Sequence, residues 1–230
     1  MNGWDAEQLK SNIIEACKTR DEDRLKEALK SEDPTVNKNY AIKYACSNGY
    51  IRIIALLLLD GRANPAADNN YAIRVATANG HAKVVALLLR DSRVDPTDMG
   101  NDAIRIACAY GHISVVKVLL QDGRANPASE KKFAIGVASE KGHDDVVSLL
   151  LQDSRVNPAD YDNYALHCAS LRGRTKVVEV LLEDGRVEVS DLMIKNAKTE
   201  MIREMLIKYK YRVDGAEYCK LKNDLVSLDR

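Results

Sequence analysis

Residues 70–96 read NYAIRVATANGHAKVVALLLRDSRVDP, and the same order of residue types returns every 31 residues. Ala41, Ala72, Ala103, Ala134 and Ala165 keep that spacing, as do Gly49, Gly80, Gly111, Gly142 and Gly173. Arg62, Arg93, Arg124, Arg155 and Arg186 hold the register, and so do Pro65, Pro96, Pro127 and Pro158. A fixed period between roughly 20 and 50 residues marks a solenoid, in which each unit buries its apolar face only against its neighbours. The period therefore predicts a single elongated all-α solenoid of stacked helix-turn-helix repeats, with five central units over 38–188.

Within a unit, the apolar pattern predicts a first helix over Tyr71 to Asn79, ended by Gly80 as a left-handed C-cap. A second helix is predicted over Ala82 to Arg90, with Val84 and Leu88, and Val85 and Leu89, paired at four-residue spacing. Helices this short are marginal alone, because nucleation costs more than eight or nine residues return. Asn39, Asn70, Asn101 and Asn163 stand just before the first helices, where they are expected to cap them. Each loop arginine follows an aspartate by two residues, so it is expected to pair with that carboxylate and to satisfy the last carbonyls of a second helix. The loops alternate: Asp-Gly-Arg-Ala-Asn-Pro at 60–65 and 122–127, Asp-Ser-Arg-Val at 91–94 and 153–156. A duplicated two-unit block explains the alternation, and Ser at the position of Gly61 implies no demand there for a positive φ. Cys46, Thr77, Cys108, Ser139 and Ser170 share one register position, which calls for a small side chain.

The ends depart from the period. Residues 1–37 form an expected N-terminal capping repeat: Asp5 and Gln8 cap a helix with Leu9, Ile13, Ile14 and Cys17 on one face, and a second helix follows near Glu22 to Lys30. Residues 189–212 are expected to form a C-terminal capping helix pair, Ser190 to Ala197 and Thr199 to Tyr209, packing through Leu192, Met193, Met201, Ile202, Met205 and Leu206. The tail, 213–230, is left open between a helix and disorder. In the fourth unit Lys132 replaces the asparagine and Gly136 stands inside a helix, where glycine costs up to about 1 kcal/mol relative to alanine. That unit is expected to be the softest.

The composition excludes several classes. The 34 basic and 34 acidic residues of the 230 cancel, against a partner such as duplex DNA engaging the whole surface. The five cysteines form no Cys-x-x-Cys pair, which argues against a metal or disulfide framework and for a reducing, intracellular setting. No apolar run approaches the ~20 residues a membrane span needs, and no signal core opens the chain. No cofactor and no metal are implied. His167 and Cys168 are neighbours, but successive helical residues point apart, so they form no nucleophile and base. His81, His112 and His143 follow the turn glycine and read as structural. No enzyme is expected.

The unit Tyr-Ala-Leu-His-Cys-Ala at 164–169, the Gly-His pairs at 80–81, 111–112 and 142–143, and the Val-Val-x-Leu-Leu-Leu runs resemble the ankyrin repeat, over about residues 8–210. The loop style is similar to arrays of protists and large DNA viruses. The resemblance implies an α-solenoid with a curved inner face made by first helices and loop tips, and protein binding without catalysis. Three departures stand out. The repeat is shorter than the family's roughly 33 residues, which implies shorter projecting fingers. Its Thr-Pro-Leu-His start is replaced by Tyr-Ala-Ile-Lys at 40–43 and Tyr-Ala-Ile-Arg at 71–74, and the loop Asp and Arg recur together.

Positions identical in every copy serve stacking, so specificity belongs to inner-face positions that differ. The family's geometry places these at the loop tips, Asn37, Asp68, Met99, Glu130 and Tyr161, and at the first-helix ends, Asn48, Asn79, Tyr110, Lys141 and Arg172. Tyr and Arg dominate interfaces, and Met adapts to irregular surfaces. Met99, Tyr110, Tyr161 and Arg172 are thus the expected anchors for a protein partner, with no small-molecule substrate and a monomeric chain. Two alternatives stay open: an adaptor using 213–230 to engage other machinery, and a nucleic-acid binder using Lys208 to Arg212, a cluster of basic and aromatic groups.

Overall fold

The computed structural model describes residues 11–129 and 134–212, which belong to two compact units divided between Lys131 and Lys132. The first contains α1 (Asn12–Thr19), α2 (Glu22–Leu29), α3 (Val36–Asn48), α4 (Ile51–Asp60), α5 (Ala67–Ala78), α6 (Ala82–Leu88), α7 (Asp98–Tyr110) and α8 (Ile113–Asp122). The second contains α9 (Ala134–Lys141), α10 (Asp144–Leu151), α11 (Asp160–Arg172), α12 (Thr175–Asp184), α13 (Asp191–Lys195) and α14 (Glu200–Tyr211). No strand occurs among the described residues. First helices stack on first helices, α1 on α3, α3 on α5 and α5 on α7, while α2, α4, α6 and α8 form the second row. In the second unit α9 packs on α11 and α10 on α12, and α14 closes against α12.

The core consists of columns of like residues. Ala41, Ala72, Ala103, Ala134 and Ala165 are buried, as are Ile42, Ile73, Ile104, Ile135 and Leu166. From the second helices Leu57, Leu88, Leu119, Leu150 and Leu181 are fully covered. Burying one such Leu or Ile returns about 1.5–3 kcal/mol, and a lone helix pair has no surface to bury it against. Stacking is therefore the condition for the helices to exist. The predicted small-residue column is buried too, and the hydroxyls of Thr77, Ser139 and Ser170 have no partner among the described residues. Size outweighs polarity there, although an unpaired buried hydroxyl costs about 1–3 kcal/mol.

The asparagines do not cap the first helices. Four of the first helices, α3, α5, α7 and α11, carry three consecutive left-handed residues near their start: Asn37, Lys38 and Asn39; Asp68, Asn69 and Asn70; Met99, Gly100 and Asn101; Tyr161, Asp162 and Asn163. Left-handed backbone costs an ordinary L residue roughly 1–2 kcal/mol, and Gly, Asn and Asp least; only Lys38, Met99 and Tyr161 fall outside that set. This turn occupies the place of the expected short finger. It aims the closing asparagine away from its own helix and at the next repeat, where Oδ1 accepts a loop N–H: Asn39 from Asn64 at 2.7 Å, Asn70 from Asp95 at 2.8 Å, Asn101 from Asn126 at 2.6 Å and Asn163 from Glu188 at 2.7 Å. The receiving loop is pre-shaped by its own turn before proline. The side chain of Asn64, Asp95, Asn126 or Asn157 accepts the N–H two residues on, at 2.8–3.1 Å.

The loop arginines behave as their spacing implies, with the preceding repeat as the recipient. Arg124 holds Asp122 through Nε and Nη2, and donates to the carbonyls of Val94 and Leu89 at 2.9 Å. Arg186 repeats this with Asp184, Val156 and Leu151. Arg93 reaches instead the carbonyls of Gly61 and Ala63, both at 3.1 Å. The loop alternation underlies the difference. With glycine, the second helix runs to the aspartate and Gly61, Gly123 and Gly185 take φ near 80°. With serine, α6 and α10 stop earlier, at Leu88 and Leu151, leaving end carbonyls for the next arginine. The position thus tolerates serine, as expected, yet is left-handed wherever it is glycine. The guanidinium hydrogen bonds hold the carboxyls of Asp60, Asp91, Asp153 and Asp184 below the usual range. The stability they lend is complete above the unfolded carboxylate pKa and is lost as pH falls through the depressed values.

The turn glycines serve two needs. Gly49 and Gly80 are left-handed, at φ 74° and 72°, and the imidazole of the following repeat lies against each, so that a Cβ would meet His81 at 2.9 Å or His112 at 3.0 Å. His81 Nε2 donates to the Ser47 carbonyl and His112 Nε2 to that of Ala78, both at 3.0 Å. Arg174 does the same to Glu140 at 3.0 Å. The structural reading of His81 and His112 holds.

At the ends, Ile13, Ile14 and Cys17 of α1 are buried as expected, whereas Asp5, Gln8, Leu9, Lys132 and 213–230 lie outside the described residues. The C-terminal packing face needs correction. Leu192 and Met201 are exposed, at 61% and 63%, and Ile194 and Ile207 are buried beside Met193, Ile202 and Leu206. Without a period, the register there had only the amphipathic pattern behind it.

Asn70 is buried, and its amide also donates to Asp98 at 2.9 Å. Asn70→Ala is expected to lower the unfolding free energy by about 1–3 kcal/mol, because it strands the Asp95 N–H. An unchanged urea midpoint would contradict the clamp.

Candidate protein-interaction face

The left-handed turns lead into the first helices, which stack on one another within each unit. Of the expected loop-tip residues, Met99 is 58% and Tyr161 56% exposed; Glu130 lies outside the described residues. Asp68 is exposed and forms an ion pair with Lys43 of the preceding repeat. At the helix ends, Tyr110 is 63% exposed and stacks on His112 with ring centroids 6.0 Å apart. Arg172 is exposed and pairs with Glu140 at 3.1 Å, and Lys141 closes α9 at the surface. Asn79 is exposed as well, and its amide bridges repeats by donating to the Ser47 carbonyl at 3.1 Å, besides that of Val75 in its own helix at 3.0 Å. Sequence disagreement between copies therefore marks both exposed positions and contacts between repeats.

Several charges along the first helices are paired within the protein. Lys43 pairs with Asp68, and Arg74 and Arg105 share the buried Asp102. Tyrosines accompany them. Tyr40 and Tyr44 stack with centroids 5.8 Å apart, and Lys43 Nζ lies 5.8 Å from the ring centre of Tyr71. Sequence reasoning misses these residues, although one signal is available: Tyr44 stands where other copies have Val75, Ile106, Val137 and Cys168.

The thiols are not activated. Burial pushes Cys17 up to about 12 and raises Cys46, Cys108 and Cys168 as well, the opposite of what a nucleophilic thiolate needs. Among the described residues no group of His, Cys, Asp and Glu has metal-site geometry. No described helix is long and apolar enough to cross a membrane.

These features are those of stacked ankyrin repeats, and known proteins agree. The family model for ankyrin repeats (3 copies) matches residues 13–99, 42–131 and 104–191. The chain belongs to the ankyrin repeat family. It resembles the crystal structure of EF0377, an ankyrin repeat protein, with a TM-score of 0.64 and 25% identity over 74% of this chain and 96% of that one. The human ASB11 ankyrin repeat domain superposes with a TM-score of 0.68 over 90% of this chain and 100% of that one, at 18% identity. No curated protein matches the chain. Ankyrin repeats are in general non-enzymatic modules of protein–protein interaction.

Met99 and Tyr161 occupy left-handed positions, both at φ 55°, that the first two complete copies give to Asn37 and Asp68. Met99→Asn and Tyr161→Asn, made singly, are each expected to raise the unfolding free energy by about 1 kcal/mol. Urea denaturation checks this, and a loss of stability would remove the argument that these side chains are kept at a conformational cost.

Proposed function

We propose that the protein is a scaffold that binds a protein partner through the face made by its first helices and left-handed turns. The distribution of exposed large apolar side chains carries this reading. Within the repeats Tyr71, Met99, Tyr110, Tyr161, Tyr164 and Leu171 lie on turns or first helices, against Ile51 and Leu59 on second helices, with Leu192 and Met201 exposed in the C-terminal pair. Bulky groups held in left-handed backbone, as Met99 and Tyr161 are, suit recognition better than folding, since strain persists where function retains it. Tyr and Arg are the usual interface anchors, and Tyr110 and Arg172 stand at helix ends on this face. A stack that is ordered beforehand reduces the ordering cost of association.

The nucleic-acid alternative has less support. Lys208 pairs with Glu204 at 2.8 Å and Lys210 with Asp191 at 2.5 Å. The Tyr209 and Tyr211 hydroxyls donate to Val187 and Asp191. Charge and aromatic polar tips are thereby committed within the C-terminal helices. Buried thiols outside any disulfide, at Cys17, Cys46, Cys108 and Cys168, fit a reducing, intracellular compartment.

Affinity capture from a cell lysate tests the reading. A Met99→Ala, Tyr110→Ala, Tyr161→Ala, Arg172→Ala variant is expected to lose a partner that the wild type and a Lys83→Ala, Glu179→Ala second-helix control both retain. Retention by the first variant, with its helicity verified by circular dichroism, would move recognition off this face.

A further inference from the structure

Between α3 and α5 the first-helix face opens into a pocket of about 380 Å³ whose lining includes Tyr40, Tyr44, Tyr71, Lys43, Asp68 and Ser47. That volume falls at the small end of the roughly 300–1,000 Å³ typical of ligand sites. Asp68 and Tyr71 are exposed at its edge, so an extended chain has access from solvent. The pocket depends on a residue that this copy alone carries, because Tyr44 is replaced by Val75, Ile106, Val137 and Cys168 in the other copies. A feature that stacking needs would recur; this one does not.

Its chemistry narrows the ligand. Lys43 and Asp68 neutralise one another, so the pocket offers no net charge to a charged ligand. A ligand lysine would have to displace Lys43, which the fold already holds against the Tyr71 ring, and a ligand carboxylate would face Asp68. Donors remain available for a ligand carbonyl. The hydroxyls of Tyr44 and Tyr71 make no hydrogen bond within the described residues, and Lys43 keeps N–H groups beyond the one given to Asp68. The complementary ligand has flat apolar faces for the tyrosine rings, carbonyl acceptors for these donors and no charge of its own. Proline matches: its ring is apolar, it has no N–H, and runs of it are extended before binding.

We propose that this pocket docks a proline-rich extended segment of a partner protein. The proposal rests on the reading of the first-helix face as a protein-binding surface and names the partner chemistry for one part of it. Full-length protein labelled with ¹⁵N is titrated with decaproline, with decalysine and decaglutamate as controls. Decaproline is expected to bind saturably and shift the amides of residues 40–47 and 68–71. Tyr44→Val, which copies the residue one repeat later, is expected to weaken it by at least about tenfold, and Lys83→Ala, on a second helix, to leave it unchanged. Tyr71→Ala, at an exposed position, should give the same loss if Tyr44→Val perturbs the fold. Absence of decaproline binding, indifference to both tyrosine substitutions, or tighter binding of either charged peptide to the same residues would overturn the proposal. If decaproline fails while the four-alanine variant still loses its captured partner, the pocket assignment alone falls. If that variant keeps its partner, the broader reading fails instead.

Discussion

An asparagine carboxamide, carried at the end of a left-handed turn, accepts the N–H of the loop that opens the next repeat. Two requirements meet in that residue. The backbone must tolerate positive φ, and the side chain must present an acceptor to a donor 25 residues ahead. Asn satisfies both, since it visits the left-handed region more readily than most residues and its Oδ1 accepts. Alanine would lack the acceptor, lysine would bring only donors, and glutamine would place its acceptor one methylene too far. The recurrence of Asn39, Asn70, Asn101 and Asn163 follows from this double demand.

Two further polar contacts join neighbouring repeats within each unit. A histidine or arginine at the start of the second helix seats itself on the preceding turn glycine and donates to a carbonyl beside it. A loop arginine, oriented by its aspartate, donates to carbonyls of the preceding loop or second-helix end. These contacts satisfy backbone groups that short helices leave unpaired at their ends. Each repeat thus depends on its neighbour for hydrogen bonds as well as for apolar burial. Invariant polar residues are occupied in stacking, whereas the differing residues Met99, Tyr110, Tyr161 and Arg172 are exposed.

Most of this architecture is legible in the sequence because the period averages away local ambiguity. Helix spans, turn glycines, buried columns and the Asp–Arg pairing follow from register and spacing. The role of the asparagines does not, because a helix cap and a clamp to the next repeat ask for the same residue type at the same place. Only the direction of the side chain separates them, and the left-handed turn sets that direction. Nothing in the residues before Tyr71 or Tyr164 announces such a turn except their richness in Asn and Asp. In the C-terminal pair, where no copy supplies a register, the amphipathic pattern points Leu192 and Met201 inward, and both face outward. The candidate face is partly visible: exposure of Met99, Tyr110 and Tyr161 agrees with the variable positions, while Asn79 varies and yet holds the stack. The tyrosine pocket is built from residues of two repeats, and only Tyr44 stands out as a departure.

The fourth copy supplies the most direct test of the clamp. Lys132 stands where the asparagine belongs, and a lysine side chain has no acceptor for the amide 25 residues on, at Asn157. Native-state amide exchange should show Asn157 exchanging faster than Asn64, Asp95, Asn126 and Glu188, whose N–H groups the four asparagines hold. Equal protection at all five amides would contradict the account, since the repeats would then be joined as firmly without the asparagine as with it.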